Sequence, residues 1–177
     1  MPPFDSRELG RLAGSGLDVV ASRNQAKGFD PRSGEGARRF GGRFNPPHSF
    51  PVLYLCLSQP CVVAEFTRQA ERQSLSVEDL LPRELWKIVV GLNKVLDLSD
   101  AVTHNALGLD SADLTRDEHS FTQNIGEAAH EHGFQAIRSP SVTGVDEVLA
   151  IFPENLTGAV LRVELVREWR TIDDLAL

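Results

Sequence analysis

The sequence predicts an α+β fold, with mixed, mainly antiparallel sheets and flanking helices in a single domain over residues 1–177. Three observations predict it. A chain of 177 residues is the size of one domain, and such a chain takes roughly 70% of its unfolded surface out of water. Hydrophobic residues at 41% and charged residues at 24% are ordinary globular values, which exclude a disordered, collagenous or coiled-coil chain. The apolar pattern switches between helical and strand periods with no regular βα repeat, so a doubly wound sheet is not expected.

Taken in order, residues 33–49 combine four glycines with three arginines and a proline pair, and read as an irregular loop. Pro51 to Leu57 is a short apolar run rich in strand formers. Ser58 then stands where it can cap a helix over about residues 60–73, with Pro60 in the first turn. In that helix Val62, Val63, Phe66 and Ala70 share one face, and Cys61, Glu65, Arg68 and Arg72 follow its border. Residues 85–98 read as two strands with a turn near Asn93. Phe121, Ile125, Ala128 and His132 mark one face of a helix that Gly133 can end. Phe134 to Arg138, Val148 to Phe152 and Ala159 to Val166 alternate or run apolar, as strands do.

With 18 Lys+Arg against 25 Asp+Glu the net charge is −7, which disfavours direct binding to nucleic acid but leaves room for a small metabolite in a local basic pocket. The first residues have no apolar core of the secretory kind, and no stretch approaches the ~20 apolar residues that span a bilayer, so a cytoplasmic protein without a membrane role is expected. Cys56 and Cys61 are too few for a disulfide framework or a four-thiolate zinc site and read as reduced, buried thiols.

The pair Gly34 and Gly36 lacks the third glycine of a dinucleotide fingerprint, and no Gly-Lys-Ser/Thr follows it. What is left is a flexible arginine-bearing loop. It suits a pyrophosphate, whose oxygens match guanidinium forks, or else is simply a solvated loop. His119, His130 and His132 lack the spacing of four that puts two metal ligands on one helix face, so no metal site is expected. Neither a Gly-x-Ser-x-Gly elbow nor a cysteine with a sequence-adjacent histidine supports nucleophilic catalysis.

The run Gly41-Gly42-Arg43-Phe44-Asn45-Pro46-Pro47, then Val52-Leu53-Tyr54-Leu55, Ala64-Glu65 and Ile137-Arg138-Ser139-Pro140-Ser141 resembles the RES domain of bacterial toxin–antitoxin toxins. Arg43, Tyr54 and Glu65 follow at an equal spacing of eleven, and the likeness covers most of the chain. Ser33 to Pro47 is most similar to the mycobacterial branch, which places Arg23 at that branch's early arginine. Phe44 stands where tryptophan is usual, and Arg23 lacks the usual aromatic neighbour.

The resemblance implies a fold similar to the diphtheria-toxin-like ADP-ribosyltransferases. It implies a NAD+ glycohydrolase or NAD+ phosphorylase that cleaves the nicotinamide–ribose bond, with NAD+ as substrate and no cofactor. A cognate antitoxin with a helix-turn-helix domain is the implied partner, and a carboxylate inserted among the arginines would block the pocket. Glu65 would then stabilise the ribosyl cation, Tyr54 would stack on nicotinamide, Arg23 and Arg43 would hold the pyrophosphate, and Ser141 would orient an amide or a ribose hydroxyl.

The chemistry is consistent with one carboxylate. Nicotinamide is a cation in the substrate and leaves neutral, so no general acid is needed, unlike ordinary glycoside hydrolysis. Each residue also has a purely structural alternative: a Glu65–Arg68 surface pair, a core-packed Tyr54, solvated loop arginines, and Ser141 bonded to its own turn. Water and phosphate both remain open as the nucleophile. Transfer of ADP-ribose to a macromolecule, or a catalytically decayed NAD-binding module, are the alternative functions.

Overall fold

The computed structural model describes residues 4–176. Its strands are β1 (Ser15–Ala26), β2 (Leu53–Cys56), β3 (Arg83–Asp97), β4 (Ala136–Pro140), β5 (Glu147–Ile151) and β6 (Val160–Trp169). They lie in the order β1-β2-β5-β4-β3-β6, and β1 also pairs with β3. That extra pairing brings the sheet back on itself, so five strands make a barrel-like ring and β6 extends from β3. All pairings are antiparallel except β3 with β4. Parallel neighbours need a long crossover, and here the crossover contains helices α4 (Ala101–Leu107) and α5 (Ser120–Glu131).

Alternation along the strands sorts side chains to two faces. Ala21, Leu53, Leu55, Ile88, Val90, Leu149 and Ile151 are buried together in one cluster. The intervening residues meet the helices instead. Helix α1 (Ser6–Gly10) and α5 bury Leu9, Ile125 and Ala129 with Phe44, Phe134 and Phe152. Helix α3 (Gln59–Arg72) buries Cys61, Val62 and Phe66 against Cys56, Leu85, Val148 and Trp169. Ser58 caps α3 by accepting from the Cys61 amide at 3.3 Å, as its sequence position predicts.

Two expectations are corrected. Residues 33–49 are not wholly irregular, because Glu35–Phe40 forms a short helix, α2, braced by a Glu35–Arg38 pair at 2.8 Å and ended at Gly41, whose φ of 75° favours glycine. The flanking glycines hide this helix in the sequence. The stretch read as two strands over residues 85–98 is a single strand that ends at Asp97. Pairing with β6 stops at Gly91 and pairing with β4 starts at Val95. Between them the Gln135 side chain accepts from the Asn93 and Lys94 amides at 2.7 and 3.3 Å, replacing the missing ladder bonds and carrying the strand through Asn93. Sequence patterning does not single out β1, since Asp18, Ser22, Asn24 and Gln25 dilute its apolar alternation.

Candidate functional site

Tyr54 lies between Leu53 and Leu55, which point to the barrel-side cluster, so its own ring points outward toward α5. Its hydroxyl accepts from the Phe44 amide and donates to Asn45 Oδ1, each at 2.9 Å. Asn45 in turn donates to the Ala37 carbonyl at 2.7 Å, and Gln123 of α5 donates to the Gly42 carbonyl at 2.9 Å. The segment 42–45 is therefore tied to β2, α2 and α5. Two glycines make this closeness possible: a Cβ on Gly42 would sit 2.6 Å from the Tyr54 hydroxyl, and one on Gly126 would sit 1.6 Å from the Phe44 carbonyl oxygen. Burial raises the Tyr54 phenol well above its usual value, so it stays neutral.

That anchored segment aims Arg43 inward. One terminal nitrogen, Nη1, donates to the Pro140 carbonyl at 2.9 Å, and the guanidinium lies 5.4 Å from the Phe44 ring centre. Nε and Nη2 are buried with no hydrogen-bond partner, and the residue is 9% exposed. Burial lowers the Arg43 pKa to about 10, against the opposing pull of Glu65 and Tyr54 and with help from Arg68. An unpaired buried guanidinium is costly, so its two free donors favour an anion that can reach them.

Glu65 sits on the half-buried border of α3, as its helical spacing implies. Its Oε1 accepts from the Ser141 hydroxyl at 2.6 Å. The Ser141 oxygen accepts from the Thr143 amide at 3.1 Å and lies 2.6 Å from the Thr143 hydroxyl. A carboxylate only accepts, so the protons run in one direction, Thr143 to Ser141 to Glu65. Thr143 is the residue that sequence reasoning missed; its place two residues after Ser141 in a turn was the available signal. Ser141 both bonds its own turn and reaches Glu65. The structural alternative, a Glu65–Arg68 surface pair, is not formed, and Arg68 is bonded to Asp117 instead.

Arg43, Tyr54, Glu65 and Ser141 thus come together, while Arg23 stands apart. Arg23 Nη1 donates to the Ser33 and Pro31 carbonyls at 3.0 and 3.3 Å, fixing the loop that leads into α2. Burial, then Arg83, lowers its pKa to about 10 against a small opposing effect of Asp30. The structure gives it no bond to the other four. Cys56 and Cys61 are free and buried, and their mutual hydrogen bond followed by burial raises the Cys56 thiol, which suits packing rather than attack. Among the described residues no three His, Cys, Asp or Glu side chains group as metal ligands, and no helix is long and apolar enough to cross a membrane.

These features define a class: an α+β protein whose barrel-like sheet and one helix bring a single carboxylate beside a buried guanidinium with free donors. Residues 19–174 match the RES domain model, and the chain belongs to that family. Over 127 residues it is 38% identical to the NAD(+) phosphorylase MbcT of Mycobacterium bovis, an alignment covering 71% of this chain and 68% of that protein. The MbcT of Mycobacterium tuberculosis H37Rv matches with the same identity and coverage. The fold is similar to a chain in the crystal structure of the M. tuberculosis MbcT–MbcA toxin–antitoxin complex, with a TM-score of 0.77 and 26% identity over 96% of this chain and 93% of that one.

Proposed function

We propose that this chain is a NAD+-degrading toxin that phosphorolyses the nicotinamide–ribose bond. The observation that carries the reading is the Arg43 guanidinium, buried with two unpartnered nitrogens beside the Ser141-bound carboxylate of Glu65. The identity to MbcT, named a NAD(+) phosphorylase, supports phosphate over water as the nucleophile. NAD+ is the substrate, and no cofactor or metal enters the chemistry.

In this mechanism Arg43 takes phosphate oxygens of NAD+ on Nε and Nη2, while Arg23, which stands apart from the other four, is assigned to the same diphosphate by the family resemblance alone. The half-buried ring of Tyr54 faces the nicotinamide, while its hydroxyl keeps the Arg43 segment in place. Glu65 stands at the reacting ribose and stabilises the positive charge that grows at its anomeric carbon as neutral nicotinamide leaves. That interaction is stronger in the transition state than in the ground state. Ser141, itself held by Thr143, fixes the carboxylate oxygen and orients the substrate.

The fold falls, on this reading, with the diphtheria-toxin-like ADP-ribosyltransferases, as one domain over residues 1–177, acting in the cytoplasm. A NAD+-destroying enzyme needs restraint in its own host. The partner is a cognate antitoxin with a helix-turn-helix domain, and a carboxylate on its inserted segment meets the free donors of Arg43. The test is incubation of pure protein with NAD+, with and without phosphate, and resolution of the products. A phosphorylated ADP-ribose formed only with phosphate is expected; intact NAD+ under both conditions sinks the reading.

A further inference from the structure

Strand β6 ends the sheet. It pairs with β3 on one side, and among the described residues no strand pairs with the other. The main-chain donors and acceptors along such an edge are a template for a further strand, which proteins commonly blunt with lysine, proline or a covering loop. Residues Val160 to Val166 contain no lysine or proline, and Val160, Leu165 and Val166 are 48%, 48% and 40% exposed. The order of these residues is self-complementary. Val160-Leu161-Arg162-Val163-Glu164-Leu165-Val166 reads the same in both directions about Val163, except that Arg162 and Glu164 exchange. Arg162 is exposed. Glu164 pairs with Lys87 of β3 at 2.7 Å, and its side chain, 66% exposed, is left open to a second cation.

We propose that two copies of this chain associate edge to edge through β6, antiparallel about a two-fold axis at Val163, so that one sheet continues across the pair. The register follows from the pleat. Residues directly opposite in an antiparallel pair point to the same face, and a two-fold axis normal to the shared sheet keeps every residue on its own face. The axis therefore passes through a residue, not between two. Through Arg162 or Glu164 it would set like charges opposite each other, which is destabilising. Through Val163 it sets Arg162 opposite Glu164 of the second copy, twice by symmetry, with Leu161 opposite Leu165. The ladder spans Leu161 to Leu165 of each chain. It stops at Val166, the extra residue of a bulge, since Leu165 pairs with Trp86 and Arg167 with Leu85. A contact built on a single strand pair is small, which puts association in the micromolar range. Arg43, Tyr54, Glu65 and Ser141 lie on other elements, so this inference stands apart from the NAD+ reading.

Sedimentation velocity of the full chain over micromolar concentrations tests this. The apparent mass is expected to climb from the 19.5 kDa of one chain toward twice that value as concentration rises. Arg162→Glu and Glu164→Arg each set two like-charge pairs across the axis and should weaken association about tenfold or more. Mixed in equal amounts, the two single variants present complementary charges to each other and should sediment as a heterodimer. The double variant Arg162→Glu/Glu164→Arg should pair with itself again. Rescue by mixing cannot arise from misfolding of either chain. Amide hydrogen exchange over Leu161 to Leu165 should also slow as the wild-type concentration rises. A wild type that stays at the mass of one chain throughout overturns the proposal. So does a dimer that both single variants leave unchanged, which would place the contact elsewhere, and so does loss of the dimer in both single variants with no rescue on mixing. Protection of these amides that arises only when a cognate antitoxin is added, with the chain alone remaining monomeric, overturns it too and assigns the edge to that protein.

Discussion

Glu65→Gln isolates charge from shape. The glutamine oxygen still accepts from Ser141 at the 2.6 Å separation, so the side chain keeps its anchor and loses only its negative charge. That charge acts on two partners. Toward the ribosyl cation of the proposed mechanism it is one preorganised electrostatic stabiliser, whose removal is expected to cost about 10²–10³ in kcat, or about 2.7–4 kcal/mol. Toward Arg43 it is the largest influence opposing the effect of burial. One partly solvated charge pair is worth about 1 kcal/mol, which lowers the melting temperature of a chain this size by about 2–4 °C. KM for NAD+ should change by less than about threefold, because the lost interaction belongs to the transition state. The assay is chromatographic quantification of NAD+ loss at saturating NAD+ and phosphate, with a thermal melt on the same sample. A kcat within about threefold of wild type in a folded variant would refute the assignment.

Arg43→Lys replaces a planar fork by a point charge, and KM for NAD+ is expected to rise about tenfold with a smaller effect on kcat; equal KM values return Arg43 to a structural role. Gly126→Ala forces a methyl against the Phe44 carbonyl at a nominal 1.6 Å. Overpacking of this kind costs about 1–3 kcal/mol, so calorimetry should show a lowered melting temperature, and activity should fall because the Arg43 segment moves; a wild-type melt would contradict the packing. His119 has a lowered folded-state pKa, so the unfolded chain binds the proton more readily. Its contribution to stability is full above the usual imidazole value and is lost as pH falls through the lowered one. Melts from neutral to mildly acid pH should show a steeper decline for wild type than for His119→Gln, and parallel curves would contradict the shift.

The legible parts of the fold were those with a local signal. Ser58 and Pro60 announce α3, Gly133 ends α5, and the apolar runs at 51–57, 148–152 and 159–166 are strands because their side chains are buried on a period that sequence displays. The misread parts depend on partners distant in the chain. Asn93 resembles a turn residue until Gln135, forty-two positions later, bonds its amide. Helix α2 is masked by glycines whose purpose is close approach to Pro47 and Val52. The same division holds at the site. The equal spacing of Arg43, Tyr54 and Glu65 marks the set, but the hydroxyl of Tyr54 does something no spacing reveals, holding residues 44 and 45. Thr143 and the Arg68–Asp117 bond arise only from tertiary contact, as does the separation of Arg23 from the other four.

Phe44, where the family usually has tryptophan, is the departure that most invites the reading of a decayed module, and its surroundings argue against that inference. The ring is fully buried in the α5-side core, and its open π-face lies 5.4 Å from the Arg43 guanidinium. Those are two demands, apolar volume and an aromatic face for a cation, and phenylalanine meets both. The rest of the machinery that aims Arg43 is intact: Tyr54 and Asn45 hold the backbone, Gln123 holds Gly42, and Gly126 leaves room for the carbonyl of Phe44. Arg43 Nε and Nη2 are buried and bond no protein group. That buried guanidinium, held beside intact anchors, favours the proposed anion site over a decayed module.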